Sequence, residues 1–214
     1  MNKKVFWIIG IFAVCVVGII ALTNINEKSV VIDYEGQPFI GEASAPVDIV
    51  EFGDYKCPSC KDFNESLFPV IYEELVETGK AKFYFMNYSF LAADSNIAAQ
   101  FAETVYKELG DETFWDFHNL LFANQTTAAG QPNLFTDEFL EAVLTEVASS
   151  EEVEKVMLAY KNSEGIEAWK KDMKTANNLG VASTPTIFIG GKEFEGRTLD
   201  DFTKMVEKAA KSGK

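Results

Sequence analysis

EFGDYKCPSCK, residues 51–61, carries two cysteines two residues apart, at the point where one sequence pattern gives way to another. Upstream, Val47, Ile49 and Glu51 fall on one face of an extended segment and Asp48, Val50 and Phe52 on the other, the two-residue period of a strand. Downstream, Phe63, Leu67, Ile71 and Leu75 recur at helical spacing and the pattern stops near Thr78 and Gly79, as a helix does. Pro69 falls inside that helix and has no N–H for the carbonyl of Glu65, so a kink is expected there. Cys57 and Cys60 thus stand where a strand ends and a helix begins. They can be a redox pair, half of a metal site, or two incidental buried thiols.

The rest of the chain sets these elements in order. KFYFMNY, residues 82–88, reads as a second, aromatic-rich strand. A long helical region follows from Asp94 or Ser95, with stripes at Ile97, Phe101 and Val105, at Phe114, Phe117 and Leu121, at Leu140, Val143, Leu144 and Val147, and at Ile166, Trp169, Met173 and Ala176. Gly110, the stretch 124–135, Ser149 with Ser150, and the stretch 162–165 interrupt it. The pattern then returns to strand at residues 186–189, turns at Gly190 and Gly191, and pairs back over residues 192–195. Thr198 and Asp201 form a capping box for a closing helix over about residues 199–211. Strand, helix, strand, helical insert, strand, strand, helix is the order of an α/β thioredoxin fold split by a helical subdomain. The expected division is residues 45–94 for the first part of the core, 95–180 for the insert and 181–214 for the second part, preceded by a polar stalk and lead-in over residues 24–44.

Before the stalk, Lys3 and Lys4 precede an uncharged apolar run over residues 5–22, about 27 Å long as a helix and so about one bilayer core. The run is longer than the apolar region of a cleaved leader, and Ala21-Leu22-Thr23 makes a poor cleavage site. Residues 1–23 are therefore read as a signal anchor, a single transmembrane pass in the cell membrane, with the two lysines held inside and everything after it extracytoplasmic. Thiols there meet an oxidising environment in which disulfides persist. Cys15 lies within the apolar run after Val14 and is read as a membrane-facing bystander, which leaves two cysteines for the exported domain.

With 47% hydrophobic residues the chain can bury a core, and its formal charge of −14 argues against phosphate backbones, so no nucleic-acid partner is expected. Calcium is the one partner that acidity leaves open, although nothing matches the D-x-[DN]-x-[DN]-G loop. Zinc in a structural site needs four ligands, and the exported part offers two cysteines and His118. A cysteine hydrolase would need His118 beside Cys57, and Cys60 would trap its nucleophile as a disulfide. His118 is read instead as a packing or surface-groove residue.

A reversible disulfide suits the spacing best. The first sulfur, Cys57, sits at a helix N-terminus, where unpaired N–H groups and the positive end of the dipole favour its thiolate. Pro58 fits the first helical position, where its missing N–H costs nothing, and Ser59 completes the dipeptide. Stabilising the thiolate stabilises the dithiol and makes the disulfide more oxidising, by ~30 mV per pKa unit of ~1.4 kcal/mol. Glu51, on the buried face six residues before Cys57, can take up or give a proton when Cys60 reacts. The loop acid Asp54 could do the same, and chemistry alone does not choose between them. Ser183-Thr184-Pro185-Thr186 precedes a strand, and a cis Pro185 would turn backbone near Thr184 toward the disulfide, where an extended substrate can pair with it.

GEASAPVDIVEFGDYKCPSC, FWDFHNLLF and LGVASTPTIFIGG together resemble the DsbA-like thiol:disulfide oxidoreductases, and most closely the membrane-anchored BdbD type of Gram-positive bacteria, from about Gln37 to the C-terminus. The resemblance implies a reactive Cys57, a resolving Cys60, a buried acid at Glu51 and a cis-proline at Pro185, with no cofactor beyond the redox-active disulfide. It also implies donation of that disulfide to reduced exported proteins, and recharging by a membrane quinone-linked oxidase of the DsbB or VKOR type. Pro58-Ser59 replaces the Pro-His of the best-known member. A reductase or disulfide isomerase on the same fold, and a chaperone whose cysteines merely staple a binding groove, are the competing readings.

Overall fold

The computed structural model describes residues 29–126 and 134–212. Five strands form one sheet in the order β1-β3-β2-β4-β5: β1 Phe39–Ile40, β2 Asp48–Gly53, β3 Lys82–Asn87, β4 Thr186–Ile189 and β5 Lys192–Glu193. β2 and β3 run parallel, and every other pair is antiparallel. The alternation of β2 splits its side chains as its sequence demands. Ile49 packs with Cys57, Phe63, Phe83 and Ile187 on one face, whereas Val50 and Phe52 pack with Tyr84, Met86 and Phe188 on the other.

The helix after Cys57 starts as α1, Pro58–Asp62, and continues as a π-helical turn at Phe63–Leu67, α2 at Phe68–Ile71 and a second π-helical turn at Tyr72–Val76. Pro69 therefore lies in the first turn of α2, where its absent N–H is tolerated. The expected kink is replaced by widened turns on both sides of the proline. The insert comprises α3 Ala93–Ala123, α4 Asp137–Leu144, α5 Ser150–Lys161 and α6 Ile166–Leu179, and the chain closes with α7 Leu199–Ser212. α3 breaks at Gly110, whose φ of 82° is open to glycine, and Asp111 beside it accepts the N–H of Phe39 in β1 at 2.7 Å. Aromatic and aliphatic residues of α2 to α5 and α7, with Cys60 of α1, share one core with β2, β3 and β4, while Ala176 of α6 covers the opposite face of the sheet.

One segment differs from its reading. Residues 24–44 were expected to be stalk and lead-in, yet the described part is packed: β1 pairs with β3, Ile32 and Gln37 are buried, and the N–H of Val30 reaches the carbonyl of Gly191 at 2.7 Å. Two residues are too short to show a period, so β1 leaves no alternation to read. β5 also ends two residues earlier than expected, although Phe194 still donates to the carbonyl of Ile187. The expected anchor over residues 1–23 and Cys15 lie outside the described residues, among which no helix is long and apolar enough to cross a membrane.

Candidate active site

β2 delivers the cysteine turn to the C-terminal end of the parallel pair, and Asp54 builds the turn. Its carbonyl accepts the N–H of Cys57 at 2.9 Å. Its fully buried carboxylate accepts three further backbone N–H groups, from Lys56 at 2.8 Å, Phe90 at 2.9 Å and Leu91 at 3.0 Å. Asp54 is thus committed to holding the loop after β3 against the turn. Phe90 and Leu91 are left with 47% of their surface exposed at this rim.

Cys57 caps α1 with extended backbone and Pro58 takes the first helical position. The structure holds the two cysteines as free thiols, Cys57 5% exposed and Cys60 fully buried, with Pro58 and Ser59 at the surface. The Thr184–Pro185 peptide is cis, and the Cys57 Sγ lies 3.2 Å from the carbonyl oxygen of Thr184. A hydrogen bond from Cys60 does most to hold the Cys57 thiol down at about 6; burial opposes it, and bonds from the Thr184 side chain and from the N–H groups of Cys60 and Ser59 assist. Cys60 is pushed far up, first by burial and then by its bond to Cys57 and the charge of Glu51. The two sulfurs are unequal, with the thiolate placed on the outer one.

Geometry sets Glu51 apart from Asp54, placing it beside Cys60. Glu51 points from β2 into the core, 1% exposed, bonded to Cys60 and with Oε1 left without a partner. Burial, and then the charge of Cys57, push it up to about 8. On the neighbouring strand it is level with Phe85, so no cation faces it across that rung. Gly53 permits this arrangement, since a Cβ there would sit 2.4 Å from the Phe85 ring. His118 is buried 3.1 Å from the hydroxyl of Tyr55 through Nδ1, and burial holds it down at about 3, a neutral packing residue.

A second polar cluster escaped the sequence reading. Gln37 Nε2 donates to Asp172 Oδ1 at 2.7 Å, Asn87 Nδ2 donates to Glu103 Oε1 at 2.6 Å, and the Asn87 N–H reaches Asp172 Oδ2 at 2.8 Å. All four side chains are buried, and Gln37 Oε1, Asn87 Oδ1 and Glu103 Oε2 have no partner. Burial, and then the charge of Asp172, raise Glu103 well above the carboxylate range. Two carboxylates and two amides make an all-oxygen donor set of the kind hard cations take. The residues come from the lead-in, β3, α3 and α6, so no contiguous motif announces them. Asp172 alone left a trace, a charge lying between Trp169 and Ala176 on the apolar stripe of α6.

A groove of about 500 Å3 lined by Val30, Ile32, Val47, Ile189 and Met205 lies at the opposite ends of β2 and β4 from the cysteines. It takes no part in the chemistry at Cys57.

A thioredoxin family model matches residues 33–208. A probable disulfide bond formation protein D of Bacillus cereus is 29% identical over 208 residues, covering 95% of this chain and 94% of that one. Disulfide bond formation protein D of Bacillus subtilis is 35% identical over 181 residues, covering 83% and 78%. The crystal structure of oxidised BdbD from Bacillus subtilis resembles this fold with a TM-score of 0.78 at 33% identity, covering 86% of this chain and 97% of that one.

Proposed function

Because the chain belongs to the thioredoxin family and, within it, to the BdbD type of DsbA-like thiol:disulfide oxidoreductases, we propose that it works as an oxidase, donating its Cys57–Cys60 disulfide to exported proteins. The observation that carries this direction is the inequality of the sulfurs. Cys57 is held down at about 6 while Cys60 is pushed up, so the dithiol form is stabilised and the disulfide is the reactive state. In the first step a substrate thiolate attacks the Cys57 sulfur. The disulfide breaks, its electron pair passes to Cys60, and Glu51, protonated at neutral pH, supplies the proton. A second substrate thiol, once deprotonated, then attacks the mixed disulfide, and Cys57 leaves as the thiolate. Two electrons have passed from substrate to enzyme; the protons of the two substrate thiols leave to water, from which Glu51 regains the proton it gave to Cys60, and Cys57 ends as the thiolate.

Unfolded, reduced chains suit the opening as substrates, because Phe90 and Leu91 present apolar surface at its rim and the Thr184 backbone lies at its edge. The apolar run over residues 5–22 supports an anchored domain outside the cytoplasm. A quinone-linked membrane oxidase of the DsbB or VKOR type is the recharging partner in this reading. The test is the reduction potential against glutathione, together with stoichiometric oxidation of a reduced model protein. A potential near that of thioredoxin, or no oxidation, would favour the reductase reading instead.

We further infer a structural calcium at Gln37, Asn87, Glu103 and Asp172. Among the described residues no three His, Cys, Asp or Glu side chains form a site, so the amide oxygens of Gln37 and Asn87 have to contribute. Their turning inward would satisfy the orphaned oxygens and let Glu103 and Asp172 both stay charged. The cation would then tie the lead-in and β3 to the insert, and no step of the exchange passes through it.

A further inference from the structure

The cysteine turn is gripped from a side that the exchange mechanism does not use. Gln125, just beyond α3 and 4% exposed, directs Nε2 at the carbonyl of Tyr55 at 2.6 Å and the carbonyl of Cys57 at 3.1 Å. Both targets are acceptors only, which fixes the amide with its nitrogen toward the turn. Gln125 Oε1 stays buried with no partner, so the orientation is set by these two bonds alone.

The grip is returned from α1. Lys61, one turn beyond Cys57, extends Nζ to the carbonyls of Ala123 and Gln125, each at 3.0 Å. Those are among the last carbonyls of α3 and the residues after it, the negative end of the helix dipole, where a cation is favoured. A helix that begins at the reactive cysteine holds the backbone carrying Gln125, and the side chain of Gln125 holds the backbone of the cysteine.

We propose that Lys61 and Gln125 form a reciprocal clasp that sets how the Cys57 sulfur is presented, making both positioning residues for thiol:disulfide exchange. The carbonyl of Cys57 already accepts the N–H groups of Cys60 and Lys61 at 3.1 Å each. With the donor from Gln125 added, and with Pro58 fixing the next φ, the peptide plane after Cys57 cannot turn, so the sulfur keeps its place beside Thr184. The same donor draws negative charge off a carbonyl close to the sulfur, which favours the thiolate. The inference rests on the exchange chemistry and not on the oxidase direction.

The test uses the full-length chain. Gln125→Met keeps the volume and removes the donor. Its Cys57 titration, followed by the ultraviolet absorbance of the thiolate, should move up by about 0.5–1 unit, the worth of one hydrogen bond. At a pH below both titrations that is about three- to ten-fold less thiolate, with attack on oxidised glutathione slowed by about two- to three-fold, because the less acidic thiolate is the better nucleophile. Lys61→Met should shift the titration in the same direction, and the double variant should shift it no further than the larger single change. A lowered melting temperature with an unmoved titration and exchange rate would overturn the proposal, and so would full additivity. Should Gln125→Met fail to fold, Lys61→Met reads the same clasp from the partly exposed lysine. The reduction potential, measured separately, addresses the oxidase reading.

Discussion

The Cys57 sulfur and the Thr184 carbonyl oxygen are 3.2 Å apart, so the nucleophile and a backbone edge open to an extended chain form one surface, with Cys60 fully buried behind it. A substrate sulfur can reach Cys57 and cannot reach Cys60. Cys60→Ser should therefore accumulate a mixed disulfide with a reduced, unfolded protein, visible as a band on a non-reducing gel that thiol reductant removes. Cys57→Ser should form none. Adduct formation through Cys60 in the Cys57→Ser variant would contradict this division of roles.

Glu51 predicts a pH dependence with a definite sign. Its folded value of about 8 stands above its ordinary 4.5, so the folded dithiol protein binds the proton more tightly than the unfolded chain. The stability from that proton is complete below about 4.5 and is lost as pH rises toward 8. Glu51→Gln removes the loss. Near pH 8 the reduced variant should be more stable than the parent by on the order of a few kcal/mol, and the gain should vanish at low pH. Denaturant titrations of both reduced proteins across this range measure it, and a gain independent of pH would show that Glu51 is charged in the folded state.

Much of this arrangement can be read without coordinates, for reasons visible in particular residues. Ile49 and Val50 face opposite cores because a strand has a period of two, and Cys57 caps α1 because the patterns change at that point. The packed lead-in left no signal, since β1 has two residues and Gln37 is an isolated polar side chain among loop residues. Gln125 and Asp172 were missed for a related cause. Each matters through a partner 68 to 135 positions away, and periodicity reports only on neighbours along the chain. Glu51 and Asp54 could not be told apart in sequence because both are acids near the turn; the hydrogen bonds from Phe90 and Leu91 separate them.

Asp54 should behave as a structural acid. Asp54→Ala leaves the N–H groups of Lys56, Phe90 and Leu91 without their acceptor in a buried turn. The loss is expected to be about 3 kcal/mol or more. Urea unfolding of the oxidised protein, in which the disulfide holds the turn, should still show most of it. A loss confined to the exchange rate would instead place Asp54 in the proton transfer assigned to Glu51.

His118 should make the fold sensitive to acid. Burial lowers it from 6.5 to about 3, so its neutral form is the one the fold accommodates. That stability is complete above about 6.5 and is lost as pH falls toward 3. His118→Gln keeps a polar partner for the Tyr55 hydroxyl without a titrating ring. It should cost stability at neutral pH by disturbing the packing against Phe85, Trp115 and Phe122. Relative to the parent it should lose less between pH 6 and 4, as circular dichroism during acid titration would show, and parallel acid profiles would mean that the histidine is charged in the folded protein.

The buried oxygen cluster yields the sharpest contrast between variants. With Glu103 and Asp172 side by side and three side-chain oxygens unsatisfied, a calcium ion would take the place of the proton that Glu103 otherwise holds and let both carboxylates coordinate it. Ca2+ accommodates irregular sets of carboxylate and amide oxygens, whereas Mg2+ demands near-ideal octahedral geometry. Calcium should therefore raise the melting temperature over a chelator control, magnesium should do so far less, and at a hundredfold excess over Kd the gain corresponds to ~2.7 kcal/mol. Asp172→Asn removes one charge from the pair. It should abolish the response to calcium while changing the metal-free protein little, because a protonated Glu103 leaves no like-charge pair to relieve and the Asn side chain keeps one oxygen for the Asn87 N–H. The exchange rate at Cys57 should stay the same in all of these conditions. A calcium response that survived in Asp172→Asn would place the ion elsewhere, and equal melting curves for the parent in calcium and chelator would leave a shared proton as the sole means of holding the two acids together.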